Sequence, residues 1–353
     1  MSATDYLIVG GGIAGLVLAE SFEQSAQDFL LVDAPLPGKA TAVSAGMINP
    51  VTGMRFVLSW NYTQLEADFL EFYKRLENKY KIQLLFEHPI YQRLYLEMDC
   101  NAWMARLADP YYEPYLSKVV RKLPANIESL KMNNYGKIEK AYRLHTDTLL
   151  TVVRKSLNDS GKFRNVVFEE HDLKISEKQL QWRDVAIHKA IIFAEGFRIR
   201  DNSYFNKIPL MPLKGDCIIF YAKDLNWNFV LKDAYSIIPL GDHQYWCGSN
   251  FEMNELSVEI NQKEIQQQYE FLKNVIPVEF QMLSMQTGIR PAVKDRRPVL
   301  GKHPGDPRLI VFNGLGTKGA SLAPYCAKVL SQMLFAAAEI PKELSVARFS
   351  KYF

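Results

Sequence analysis

Cysteine is scarce in this 353-residue chain, and the four present, Cys100, Cys217, Cys247 and Cys326, stand far apart. No two form a C-x-x-C pair. That excludes a thiolate zinc site and a disulfide-stapled scaffold, and points to reduced core thiols in a cytoplasmic protein. The histidines (His88, His145, His171, His188, His243, His303) show no ligand spacing, so no metal site is expected. Charge of one sign is missing too. Lys and Arg number 42 against 39 Asp and Glu, a net charge of +3, which argues against the basic footprint of a nucleic-acid binder. No apolar run approaches a membrane span. Met1 to Asp5 carries no basic leader region, so no secretory signal is expected. What remains is 48% apolar and 23% charged, an ordinary globular composition, and the length suits two domains.

What is present is concentrated at the two ends. Tyr6 to Val9 is an apolar run of one buried strand. Gly10-x-Gly12-x-x-Gly15 follows, and Ile13, Leu16, Val17 and Ala19 continue at helical spacing. A second apolar run, Phe29 to Val32, ends in Asp33, eighteen residues past the last glycine. In this order the parts have physical tasks. Gly10 allows the turn off the strand, Gly12 admits a pyrophosphate to the backbone, and Gly15 lets helix and sheet pack closely. The helix N-terminus offers N–H groups and partial positive charge to phosphates. Asp33 suits both hydroxyls of a ribose and would repel a 2′-phosphate. The ligand is therefore FAD or NAD.

Between Pro35 and Pro50 the small residues of PLPGKATAVSAGMINP suit a backbone lying against a large flat ligand, with Thr41 and Ser44 as hydroxyl donors. Gln64 to Tyr80 reads as an amphipathic structural helix. Phe86 to Met98 reads as a half-buried strand limited by Pro89. Residues 99 to 141 have no assigned role; a lid, a specificity insert or a surface elaboration all fit. A helix is expected over Thr146 to Leu157, with strands at Val166 to Phe168 and Ala190 to Ala194, the latter meeting Glu195-Gly196. From Leu213 to Glu252 alternating strands without helices indicate an antiparallel sheet inserted between parallel segments. Val258 to Val275 is again helical. Leu309 to Phe312, the Gly314 to Gly319 loop and Ala320 to Leu334 make a second strand–glycine loop–helix unit.

These motifs resemble the FAD-dependent glycine oxidase, sarcosine oxidase and D-amino-acid oxidase group. The likeness lies in GGGIAG with Asp33, SAGMINP, IIFAEG, PLMPLKGD, SIIPLGDHQYWCGSN, GIRPAVKDRRPVLG and NGLGTKGASLAP. It implies α/β plus α+β architecture: a Rossmann-type FAD-binding domain (1–80, 141–208, 285–353) with an inserted antiparallel-sheet substrate domain (81–140, 209–284). It also implies an enzyme that oxidises the C–N bond of a small amine or amino acid by hydride transfer to flavin N5, with oxygen or another carrier taking the electrons.

By the same resemblance, Gly10, Gly12, Ile13, Ala14, Gly15, Asp33 and Ala34 hold the ADP half of FAD. Thr41, Ser44, Ala45, Gly46 and Met47 lie beside pyrophosphate and flavin, Ala194 and Gly196 close on the adenosine side, and the backbone near Leu173 meets adenine. Gly314, Gly316, Thr317, Lys318 and Gly319 meet the flavin's pyrimidine edge, with Lys318 stabilising negative charge there. Arg290 falls where a guanidinium binds the substrate carboxylate; the alternative is a structural ion pair with Asp295. Two departures stand out. Where relatives carry a substrate-site tyrosine this chain has Ser236, with Tyr235 one step away and on the opposite face of a regular strand. Ala292, Val293 and Lys294 replace the cysteine that anchors flavin covalently in sarcosine oxidases, so FAD is expected to be non-covalent.

Three further readings stay open at this point. The chain's end also resembles the oxidase half of a bifunctional tRNA-modifying enzyme, which acts on a modified uridine. A flavin-binding protein without catalysis would be favoured by an Arg290 ion pair and a closed site. A nicotinamide dehydrogenase leaves the second glycine loop unexplained.

Overall fold

The computed structural model describes residues 2–120, 123 and 134–353. Apolar runs at both ends of the chain join one eight-stranded sheet. Its spine runs from Phe163–Asn165 through Phe29–Asp33 and Ser2–Val9 to Val185–Phe193, all parallel. The far edge of Val185–Phe193 is shared. Its first half pairs antiparallel with Leu180–Trp182, and its last three residues pair parallel with Leu309–Asn313. The start and the finish of the chain are thus separated by a single strand. Buried on both faces, Phe29–Asp33 and Leu309–Asn313 are continuously apolar up to their last residue.

Helix Ile13–Gln24 starts at Gly12, is buried over most of its length and packs on helix Gly319–Ala336, on helix Thr146–Asp159 and on the parallel sheet. The latter also packs on the amphipathic helix Tyr62–Tyr80. Tyr73, fully buried, donates its hydroxyl to the Ala320 carbonyl at 2.7 Å and ties these helices together.

The second large sheet has nine strands, ordered from Glu252–Met253 through Leu213–Tyr221, Gln244–Gly248, Ser236–Gly241, Val230–Lys232, Ile90–Leu94 and Asn134–Ile138 to Leu116–Val120, with Gln281–Arg290 also on Leu213–Tyr221. It is antiparallel apart from Val230–Lys232 beside Ile90–Leu94. Gln281–Arg290 pairs along its length with Leu213–Tyr221, so it continues through the boundary expected at 284/285. Helix Gln262–Val275 covers one face of this sheet; Asn261, whose side chain accepts from Glu264 N, sets its start later than Val258.

Other local expectations differ as well. Pro89 splits the strand expected at Phe86 to Met98 into Leu85–Glu87 and Ile90–Leu94, and the chain then turns into helix Glu97–Leu107. Asp99 sets that start by accepting from the Tyr95 and Leu96 amides, each at 3.0 Å. The strand expected at Val166 to Phe168 lies at Phe163–Asn165; Val166 makes a last bond to Asp33 O at 2.8 Å and the chain leaves the sheet. Of the stretch 99 to 141, residues 121, 122 and 124–133 lie outside the described residues. The described part is no surface elaboration. It supplies two strands of the nine-stranded sheet and the fully buried Trp103, which packs edge-on to Phe56.

Candidate active site

The carboxyl ends of the parallel strands open onto one cavity of about 1080 Å³, which reaches across to the inner face of the nine-stranded sheet. In an open parallel sheet this edge is where ligands bind, because helix N-termini point their free N–H groups at it. Val166 to His171, Glu195 and Asp201 line it, as do Lys232 to Ser236, Ser249 and Arg290.

Most residues singled out in the sequence meet here. Gly10, Gly12, Ile13, Ala14, Asp33, Ala34, Thr41, Ser44, Ala45, Met47, Ala194, Gly196, Gly316, Thr317 and Gly319 all line the cavity. So do Arg290, Tyr235 and Ser236. Gly12 and Lys318 begin the two helices whose N-termini face it from the two ends of the chain. Gly15, Gly46 and Gly314 stand behind the lining. Gly15 is a packing residue, since a Cβ there would collide with the Gly10 carbonyl.

Leu173 does not reach the cavity. It begins strand Leu173–Ile175, pairs with Trp182 and packs in the second apolar cluster. The turn at Glu170–Asp172 presents Glu169 to His171 at the mouth instead. Lys318 is placed with its side chain outside the lining. Its Nζ donates to Ser59 Oγ at 3.1 Å and Thr52 Oγ1 at 3.4 Å. Burial, and then the like charges of Arg297, Lys232 and Arg296, push its pKa down. Tyr235 turns its hydroxyl away to Glu264 Oε1, 2.7 Å, while Ser236 sits on the cavity face opposite Lys232.

Arg290 has no acid partner among the described residues. Its guanidinium donates to Ser249 Oγ and, at 3.4–3.5 Å, to the carbonyls of Leu213, Lys214 and Asn250. Its Cζ stands 4.8 Å from the centre of the Phe251 ring. Asp295, the alternative partner, is taken by Arg348 at 2.8 Å. Burial lowers the Arg290 pKa, and Cys217 and Asp216 oppose that shift. The guanidinium thus reaches the cavity lining with hydroxyl and carbonyl contacts and no salt bridge among the described residues, and a carboxylate is a ligand that such a planar cation can take.

Two features were missed in the sequence. Lys39 and Arg154 both face Asp33: Lys39 Nζ lies 2.6 Å from Oδ1 and Arg154 Nη2 3.0 Å from Oδ2. Arg154 also donates to Gly11 O at 2.7 Å. Lys39 was visible as the lone cation of a small-residue loop; Arg154 lies on a helix whose polar face carries no such mark. Glu195 is the other. Burial pushes its carboxyl from 4.5 to about 8, with Glu170 and Asp201 adding to the shift against an Asn202 hydrogen bond.

An acidic side chain at the end of the second strand, helix N-termini from both ends of the chain and a cavity of this length together define a dinucleotide-binding oxidoreductase fold with a substrate compartment. The donor set suits FAD, with a ribose at Asp33 and a pyrophosphate at the Gly12 helix. The comparisons agree. Residues 5–333 match the FAD-dependent oxidoreductase (DAO) family, and the chain belongs to that family of flavoenzymes. Glycine oxidase from Geobacillus kaustophilus superposes with a TM-score of 0.80 at 17% identity, over 99% of this chain and 98% of that one. Iminodiacetate oxidase from Chelativorans sp. BNC1 does so at 0.77 and 20%, over 96% and 97%. At these identities the likeness is one of fold.

Relatives found by sequence match over shorter stretches. The bifunctional tRNA 5-methylaminomethyl-2-thiouridine biosynthesis protein MnmC of Psychrobacter cryohalolentis is 26% identical over 139 residues, 36% of this chain and 19% of that protein. Glycine oxidase of Bacillus subtilis is 24% identical over 127 residues, 35% of this chain and 34% of that enzyme. The matched stretches thus span well under two thirds of either relative. Among the described residues no helix is long and apolar enough to cross a membrane, and no cluster could hold a metal ion.

Proposed function

We propose that this flavoenzyme oxidises the C–N bond of a small amine or amino acid that carries a carboxylate. The observation that carries the reading is Arg290: a guanidinium lining the cavity, with hydroxyl and carbonyl contacts and no acid of its own. Gly10 to Ala14 with Asp33 and Ala34 would hold the ADP half of FAD, and Ser44 to Met47 with Gly316 to Gly319 would hold its flavin. FAD, when bound, would supply a hydride acceptor for the substrate carbon, and Ala292 to Lys294 offer it no cysteine for a covalent link.

The protein's own groups do the rest. Arg290 fixes the carboxylate in two directions at once, which orients the neighbouring C–H rather than merely attracting the substrate. Trp246, whose indole donates to Val43 O at 3.1 Å, and Ile238 line the compartment with apolar surface that limits water. An amine that arrives neutral needs no general base: loss of hydride from carbon and of a proton from nitrogen forms the imine, which water hydrolyses. The test is a panel of amines and amino acids assayed by bleaching of the flavin without oxygen, with wild-type and Arg290→Ala protein. Carboxylate substrates should bleach the wild type and show a sharply raised KM in the variant, with FAD retained; an unchanged KM refutes the role of Arg290.

A further inference from the structure

We propose that Lys232 is a second anion-binding group of this site, so that the preferred substrate carries two carboxylates, one at Arg290 and one at Lys232; this rests on the proposed amine oxidation. Strand Val230–Lys232 places the side chain. Leu231 is buried in the core on the far side of the sheet, while Val230 on the other face lines the cavity. Side chains alternate along a strand, so Lys232 shares the cavity face with Val230. Directly opposite it stands Ser236, and opposite Ser236 stands Gly248, both also in the lining. Arg290 donates to Ser249, the next residue. At about 4.8 Å per strand, the Lys232 and Gly248 positions are about 10 Å apart, a gap a short diacid bridges once two long side chains reach into it.

Among the described residues Lys232 has no counter-charge. The neighbouring carboxylate, Asp233, is held by Arg93 at 2.9 Å and by the Tyr95 hydroxyl. Glu264 is taken by Tyr235. The other charged groups near this end, Lys318, Arg296 and Arg297, are cations, and only Arg297 has an acid, Glu343 at 3.8 Å. The acids Glu169, Glu170, Glu195 and Asp201 also line the cavity, and burial alone accounts for the shift at Lys232, with no acid acting on it. An ammonium buried without a partner is unfavourable, and burial lowers the Lys232 pKa accordingly. A bound anion relieves that strain, which a neutral side chain on the ligand cannot do.

The holoenzyme is titrated with succinate against butyrate, and glutarate against pentanoate, reading the perturbation of the flavin spectrum. The diacids should bind roughly ten- to hundredfold tighter than the monoacids of equal length, the range of a charged hydrogen bond. Lys232→Met, similar in length and uncharged, should erase the preference by bringing diacid affinity down to that of the monoacids; Lys232→Gln should read the same through a polar side chain. Equal binding of the paired acids by the wild type, or a preference that survives both variants, overturns the proposal. Failure of the amine-oxidase reading looks different: neither class of acid perturbs the flavin and no amine bleaches it.

Discussion

Gly215 tests the carboxylate site without replacing the group that binds. It lies in Leu213–Tyr221, outside the left-handed region, so alanine suits its backbone; by the loss of unfolded-state freedom such a change stabilises a chain by about 0.4–1 kcal/mol. A Cβ there would stand 2.7 Å from Arg290 Nη1, 2.8 Å from Cζ and closer still to Nη2. The guanidinium is the far end of a flexible side chain, so in Gly215→Ala it moves aside and the strand survives. What is lost is alignment. A charged hydrogen bond contributes about 1.5–3 kcal/mol, so carboxylate binding should weaken roughly ten- to hundredfold. The assay is the Kd of a simple carboxylate from the flavin spectrum, alongside KM for the best substrate, FAD content and thermal midpoint. A variant with full FAD content, an undiminished midpoint and an unchanged Kd would show that the position of the fork is irrelevant, and the argument from its geometry would fail.

Other outcomes follow from the same contacts. Asp33→Asn should weaken FAD binding roughly ten- to hundredfold in a titration of apoprotein, because a neutral amide replaces a charged acceptor; undiminished affinity would remove Asp33 from the ribose. Glu195 binds a proton up to about pH 8 when folded but only to about 4.5 when unfolded. Stability should therefore fall as pH rises between these values, by up to a few kcal/mol. Glu195→Gln should flatten thermal midpoints measured from pH 5 to pH 8, and a slope as steep as the wild type's would refute this. The protein should be yellow and release intact FAD on acid denaturation; flavin that stays with the precipitated chain would contradict the expectation drawn from Ala292 to Lys294.

Local order carried the glycine motifs. Gly10, Gly12, Gly15 and Asp33 work within one strand–helix–strand unit, and the second unit from Leu309 to Gly319 repeats that logic, so both could be read from spacing alone. Alternation likewise marked the strands from Leu213 to Gly248 and put Tyr235 and Ser236 on opposite faces. It could not say which face meets the cavity. That depends on the other sheet, brought there by residues more than a hundred positions away. The backbone near Leu173 shows the same limit: Val166 to His171 line the cavity and Leu173 itself does not, a distinction set by the turn at Glu170–Asp172.

The charges divide in the same way. Sequence could name Arg290 and Asp295 as candidate partners, because both occur within a few residues. It could not show that Arg348 takes Asp295 and leaves Arg290 open, or that Arg93 takes Asp233 and leaves Lys232 alone. Cofactor class was written into short-range backbone requirements, which glycine and one acid satisfy by themselves. The substrate compartment was decided by tertiary structure, since a side chain's charge is useful or neutralised according to what long-range packing sets beside it.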